Sequence, residues 1–178
     1  LPGAFALFLL IVISPSAFAQ DDLPRWEVFA GFSYLPAGSE DFPRDNSYGV
    51  QGSIAGNLTR WFGFVMDVGA QHGSKDFTQL FIGGTVKTTV YEYLAGPRFS
   101  IRTGRANVFA HALVGGASGR TNIGSFSDTE LAIGLGGGVD IHLSKRIAIR
   151  AIQFDYLGSF AEMLENNTRV GAGIVFKF

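Results

Sequence analysis

The feature that most constrains this chain is a two-residue alternation of apolar with small or polar side chains, repeated in eight runs of about ten residues. The runs cover residues 25–35, 48–58, 61–71, 86–102, 105–116, 130–143, 146–157 and 168–178. Their connections alternate in length, with short ones at 59–60, 103–104 and 144–145 and long ones at 36–47, 72–85, 117–129 and 158–167. This pattern predicts an all-β fold, a closed antiparallel up-and-down barrel with tight turns at one end and long loops at the other.

The last run, T-R-V-G-A-G-I-V-F-K-F, places Val170, Ala172, Ile174 and Phe176 on one face and ends on Phe178. A strand with aromatic residues at its last position and two positions earlier resembles the C-terminal assembly signal of bacterial outer-membrane β-barrels. The resemblance to small barrels of the OmpA/OmpX type extends over the chain from residue 20 onward. It implies that the barrel-assembly machinery recognises the strand through Phe176 and Phe178. It also implies that this strand pairs with the first and removes the open sheet edge.

The less apolar face of the runs distinguishes a transmembrane barrel from a secreted β-sandwich, whose outer face is normally rich in Lys, Glu, Thr and Ser. Here that face carries Gly, Ala and Ser with isolated charges of both signs. A lumen of eight strands is filled by side chains, and buried charges within it need partners. We therefore expect eight charged residues in the lumen: Glu27, Asp67, Glu92, Arg98, Asp140, Asp155, Arg169 and Lys177.

The seventh run breaks the alternation. Arg150 shares its parity with the apolar Ile152 and Phe154, whereas Gln153 and Asp155 have the other parity. Either a β-bulge lies between Arg150 and Gln153, or Arg150 lies near the membrane interface and extends its side chain to water. The sequence alone leaves both alternatives open.

The N-terminal segment reads as a secretory signal. Its apolar run closes on Ala17-Phe18-Ala19, a small-x-small cleavage pattern. The apolar core is shorter than the roughly 20 residues that a transmembrane helix needs. We therefore expect a signal peptide at 1–19 and an outer-membrane barrel domain at 20–178, integral to the bacterial outer membrane after cleavage.

Composition excludes several functional classes. The chain has no cysteine, so it has no disulfide and no thiolate metal site. A net charge of −1 provides no electrostatic basis for binding nucleic acid. We expect no cofactor, and we expect the surrounding partners to be outer-membrane lipid and lipopolysaccharide.

Catalysis is the first alternative function, because some small outer-membrane barrels modify lipid A. His142-Leu143-Ser144 superficially resembles the His-x-Ser of the lipid A deacylases, but His142 has inward parity and lies beside a short turn. Asp67, Glu92 and His111 form a second conceivable set, as acid and base or as metal ligands. For both sets we favour a structural role.

A narrow pore is the second alternative, although eight strands leave an interior just wide enough for side chains. The remaining interpretation, which we favour, is a non-enzymatic barrel with a plugged lumen and a structural or surface-interaction role. Its long loops include an acidic segment at 38–46 and an apolar one at 75–82. The apolar segment either extends a hairpin above the membrane or forms a contact patch for a surface ligand that the sequence does not identify.

Overall fold

The computed structural model describes residues 23–37, 45–76, 85–121, 129–159 and 167–178. Within these ranges the chain forms eight strands: β1 (Trp26–Ala37), β2 (Asp45–Asn57), β3 (Phe62–Asp76), β4 (Thr85–Arg102), β5 (Ala106–Thr121), β6 (Thr129–His142), β7 (Ile147–Ser159) and β8 (Asn167–Lys177). Each strand pairs antiparallel with the next, and β8 pairs with β1 to close the barrel. The closed eight-stranded antiparallel barrel predicted from the sequence is confirmed.

The closing seam pairs residues 27–34 of β1 with residues 170–177 of β8. Its register pairs Val28 with Phe176 and Tyr34 with Val170. Beyond the strand end, the backbone N–H of Phe178 donates to the carbonyl oxygen of Trp26 at 2.9 Å. No edge of the sheet therefore stays open between these two strands.

The barrel is apolar outside and polar inside, the reverse of a water-soluble protein. Phe64 and Ile174 are 53% and 47% exposed on the outer wall, whereas Arg169 and Asp155 are 0% and 1% exposed inside. Turning a buried arginine to the outer face at mid-bilayer would cost about 2–4 kcal/mol. Within the described ranges, no helix is long and apolar enough to span a bilayer.

The strands extend further toward the long loops than the sequence predicts. The expected connections at 36–47, 72–85 and 117–129 begin too early, because β1 continues to Ala37, β3 to Asp76 and β5 to Thr121. The backbone ladder is independent of side-chain polarity, so hairpins continue past the point where the apolar alternation ends. Residues 38–44 and 77–84, which carry most of the two loop segments of interest, lie outside the described residues.

The three short turns are longer than the predicted two residues. They span 58–61, 103–105 and 143–146, and each is stabilised by a hydroxyl side chain. Thr59 Oγ1 accepts from the backbone N–H of Phe62 at 3.0 Å, Thr103 Oγ1 from Ala106 at 3.1 Å, and Ser144 Oγ from Ile147 at 3.0 Å. This shared hydroxyl hydrogen bond gives the three turns a common, fixed geometry.

A β-bulge resolves the position of Arg150. The pairing of β7 with β8 shifts register between Arg150 and Gln153. The side chains of both residues are consequently buried in the barrel, at 2% and 1% exposure. Of the two alternatives left open by the sequence, the bulge is confirmed and the interfacial placement is wrong.

Apolar side chains fill part of the interior beside the charged and neutral polar ones. One buried cluster contains Leu35, Ala55, Val65, Leu94, Leu113, Ala132 and Leu157, and a second contains Phe29, Ala148 and Val175. The polar residues of the lumen are packed among these clusters, in a surrounding that strengthens their mutual interactions.

Candidate functional site

The first feature of the lumen is a cluster around Arg169, formed with Asp67, Glu92 and Asp155. Arg169 Nη2 donates to Asp67 Oδ1 at 2.8 Å and to Asp155 Oδ2 at 2.7 Å. Its Nη1 donates to Glu92 Oε2 at 2.9 Å, and its Nε to Asp155 Oδ2 at 3.1 Å. One guanidinium group thus bonds three carboxylates, and we call this set the Arg169 cluster.

The barrel geometry explains why these four side chains meet. Arg169 on β8 is paired directly with Asp155 on β7. Glu92 lies on β4, which is opposite β8 in a ring of eight strands. Gly69, the partner of Glu92 in the β3–β4 ladder, provides the space: a Cβ there would lie 3.1 Å from Arg169 Nη1. The Arg169 cluster therefore spans the whole width of the lumen.

A second cluster lies nearer the short turns and contains Glu27, Arg98, Arg102, Asp140 and Arg150; we call it the turn-side cluster. Arg98 Nη1 donates to Glu27 Oε2 at 2.8 Å, and Arg150 Nε donates to Asp140 Oδ1 at 2.7 Å. Arg102 Nη2 donates to Glu27 Oε1 at 3.1 Å. The link between Glu27 on β1 and Arg98 on β4 makes this a second crossing of the lumen.

Two aromatic rings stack with the arginines of the turn-side cluster. The Phe109 ring centroid lies 4.2 Å from Arg98 Cζ and 4.4 Å from Arg150 Cζ, so the ring is within cation–π range of both. The Phe29 centroid lies 4.2 Å from Arg150 Cζ. Arg150 therefore has a ring on two sides as well as a carboxylate partner.

Neutral polar side chains orient the carboxylates. Gln51 Nε2 donates to Asp67 Oδ2 at 2.8 Å, and Gln153 Nε2 donates to Asp155 Oδ2 at 2.7 Å. His111 Nε2 lies 2.8 Å from Asp155 Oδ1. These contacts satisfy carboxylate lone pairs that the arginines leave, which a buried charge requires.

Seven of the eight charged residues expected in the lumen lie in the two clusters. The eighth, Lys177, lies at the short-turn end, where its Nζ donates to the carbonyl oxygen of Ser144 at 3.2 Å. The sequence reasoning missed Arg102 and did not settle Arg150. Arg102 was detectable from its parity, because it lies two and four residues beyond Ser100 and Arg98 on the inward face of β4.

The structure also places residues of the two candidate chemical sets. Asp67 and Glu92 both bond Arg169, whereas His111 contacts Asp155 instead. Ser144 Oγ accepts backbone hydrogen bonds within a short turn. Among the residues that the structure describes, no group of His, Cys, Asp and Glu is arranged to hold a metal ion.

Comparison with known proteins places this barrel in a family. A model of the outer membrane protein beta-barrel domain matches residues 5–178. The chain belongs to this family. With the lipid-compatible outer wall, membership makes it an integral barrel of the bacterial outer membrane. Barrels of this class generally have short turns on the periplasmic side and long loops on the outer side.

Solved structures support the same fold. Neisserial surface protein A (NspA) superposes with a TM-score of 0.68 at 17% identity, covering 86% of this chain and 97% of its own. Ail, the attachment invasion locus protein of Yersinia pestis, gives 0.62 at 15% identity over 88% and 99%. OprG from Pseudomonas aeruginosa gives 0.52 at 9% identity over 88% and 96%. Among curated proteins, no sequence matches this chain significantly.

Proposed function

We propose that this protein is a non-enzymatic, non-conducting barrel that anchors its outward loops for interactions at the cell surface. The observation that carries the proposal is the double crossing of the lumen. The Arg169 cluster joins β8 to β3 and β4, and the turn-side cluster joins β1 to β4. A solute would have to break buried ion pairs in both clusters to pass, and breaking such a pair costs about 3–5 kcal/mol.

Conductance in planar bilayers tests the closed lumen. We expect the refolded chain to insert without steady ohmic current. A matched variant, Arg98→Ala with Arg169→Ala, should open a measurable leak, because it removes the central cation of one crossing and a main bridge of the other. A steady current from the unmodified protein would overturn the non-conducting half of the proposal.

Mass spectrometry of lipid A tests the non-enzymatic half. Cells with and without the protein should have the same acyl pattern, because His142 and Ser144 lie at the periplasmic end, far from the leaflet that holds lipid A. Loss of an acyl chain upon expression, and its return in a Ser144→Ala variant, would establish the enzyme alternative instead.

The printed names of two similar proteins motivate the surface role. Ail is described as an attachment invasion locus protein and was crystallised with the heparin analogue sucrose octasulfate, and NspA is described as a surface protein. We infer a comparable surface contact here, made by the long loops. Replacing residues 77–84, an apolar part of one loop, by a Gly/Ser segment of equal length should reduce attachment of expressing cells to a host-cell layer. The same replacement of residues 122–128 is the matched control, and unchanged attachment with every loop replaced would refute the role.

Two further proposals concern biogenesis. We propose that residues 1–19 are removed as a signal peptide, which N-terminal sequencing of protein extracted from outer membranes would show as a chain starting at Gln20.

We also propose that the assembly machinery recognises Phe176 and Phe178. Their outward positions, 43% and 72% exposed, leave both rings accessible to a partner. Phe178→Ser should lower the yield of membrane-inserted barrel, whereas Phe154→Ser on the same outer wall should lower it less.

A further inference from the structure

The periplasmic end of the barrel carries a surface of one charge sign. Among the described residues at this end, the exposed charged side chains are all cationic: Arg25, Arg60, Arg105, Lys145 and Arg146. The acidic side chains nearby, Glu27 and Asp140, are buried and bonded to arginines of the lumen. We call the five exposed cations the periplasmic basic ring.

The basic ring is supported by fixed turns. Each of the three short turns contributes at least one of its members, and each turn is closed by the hydroxyl hydrogen bond described above. Arg102 also joins the first two turns, since its Nη1 donates to the carbonyl oxygen of Arg60 at 2.6 Å. The backbone therefore keeps the cations around one rim of the barrel. The turns cannot move apart to reduce the repulsion between them.

Exposed apolar side chains lie beside these cations in the same turns. Leu58 and Trp61 flank Arg60, and Leu143 precedes Lys145; these three apolar side chains are 67%, 60% and 62% exposed. The Trp61 ring stacks on Phe99 of the outer wall with centroids 6.0 Å apart. Aromatic residues of this kind mark the headgroup level of a bilayer. An apolar side chain next to a cation fits a lipid, with its acyl chain and its charged headgroup, better than it fits a fully hydrated partner.

We propose that the periplasmic basic ring binds the anionic headgroups of phospholipids in the inner leaflet of the outer membrane and gathers these lipids around the barrel. Charge complementarity and the position of the ring at the headgroup level identify the occupant. The sequence places Asp21 and Asp22 shortly before Arg25, but two negative charges cannot neutralise five positive ones. The inference is independent of what the outward loops contact.

The two tryptophans of the chain provide a direct probe. Trp26 and Trp61 are the only ones in the sequence, and both lie at the periplasmic end. The full chain is refolded into phosphatidylcholine vesicles that contain a small equal fraction of either brominated phosphatidylglycerol or brominated phosphatidylcholine. A basic residue near an anionic surface contributes roughly fivefold in association, so the brominated anionic lipid should quench tryptophan emission at least about twofold more strongly.

Two variants and one salt condition separate the proposal from its alternatives. Replacing all five residues of the ring by glutamine should abolish the excess quenching, whereas Arg105→Lys with Arg146→Lys should preserve it. Heat-modifiable migration in gels reports whether each variant is folded. For the unmodified protein, about 1 M salt shortens the screening length to roughly 3 Å and should remove the excess. Equal quenching by the two lipids, or an excess that survives either the glutamine variant or high salt, would overturn the proposal.

Discussion

Replacing Arg169 by methionine should be among the most destabilising single changes in this barrel. Arg169 is completely buried and bonds Asp67, Glu92 and Asp155. Methionine fills a similar volume, so the change leaves little cavity and acts mainly on charge. It leaves three buried carboxylates facing one another without their cation.

The expected loss is about 3–5 kcal/mol in the free energy of unfolding, the range for removing one partner of a buried ion pair. Adding separate contributions for the four hydrogen bonds of Arg169 would overstate the loss, because groups in one network are not additive. Neutralising the entire Arg169 cluster should restore most of the stability. The variant that combines Arg169→Met with Asp67→Asn, Glu92→Gln and Asp155→Asn leaves no unpaired buried charge.

Urea unfolding of the barrel refolded in phospholipid vesicles, followed by tryptophan fluorescence, measures these free energies, provided that the slope with urea stays constant. Arg25→Met is the control, since it removes an exposed cation and should change stability by less than about 0.5 kcal/mol. A loss below about 1 kcal/mol for Arg169→Met would refute the reasoning. So would a neutralised variant that is as unstable as the single one, because charge would then not be the cause.

Two other substitutions test packing. A Cβ at Gly96 would collide with the carbonyl oxygen of Ala112, so Gly96→Ala should lower the free energy of unfolding by about 1–3 kcal/mol. A Cβ at Gly104 would have nothing within 4 Å, so Gly104→Ala should be nearly neutral, and equal stabilities of the two variants in urea would contradict this prediction. Phe109→Leu removes the ring shared by Arg98 and Arg150, and it should lower the free energy of unfolding in urea by about 1–2 kcal/mol more than Val108→Leu on the outer wall. A loss no larger than that of the control would show that the ring contributes no cation–π energy.

The alternation predicts the fold, because successive side chains of a strand in a membrane barrel face the lipid and the lumen in turn. Every outward residue must be tolerable in hydrocarbon, so the strand cores follow from parity and link length. The pairing of β8 with β1 is implied by the resemblance of the last strand to a C-terminal assembly signal. The strand ends toward the long loops do not follow. There the backbone ladder continues to Asp76 in β3 and to Thr121 in β5, past the point where the sequence still alternates.

The parity of a charged residue predicts that it faces the lumen, but it does not predict which residue it pairs with. It does not show that Arg169 contacts Glu92, which is 77 residues away, because that contact depends on the curvature of the closed sheet. A single inserted residue reverses parity, so Arg150 could not be placed before the bulge was seen. The first failure arises from the closure of the sheet and the second from a local register shift between β7 and β8, and a linear pattern shows neither.

The position of Arg169 on the final strand links chemistry to the order of assembly. Asp67, Glu92 and Asp155 all belong to strands that precede it in the chain. An intermediate that lacks β8 therefore holds three acidic groups with no cation to match, and it must keep them hydrated. Pairing of β8 and the loss of water from the lumen therefore occur together. In a barrel that has not closed, the unpaired carboxylates oppose insertion into the bilayer core.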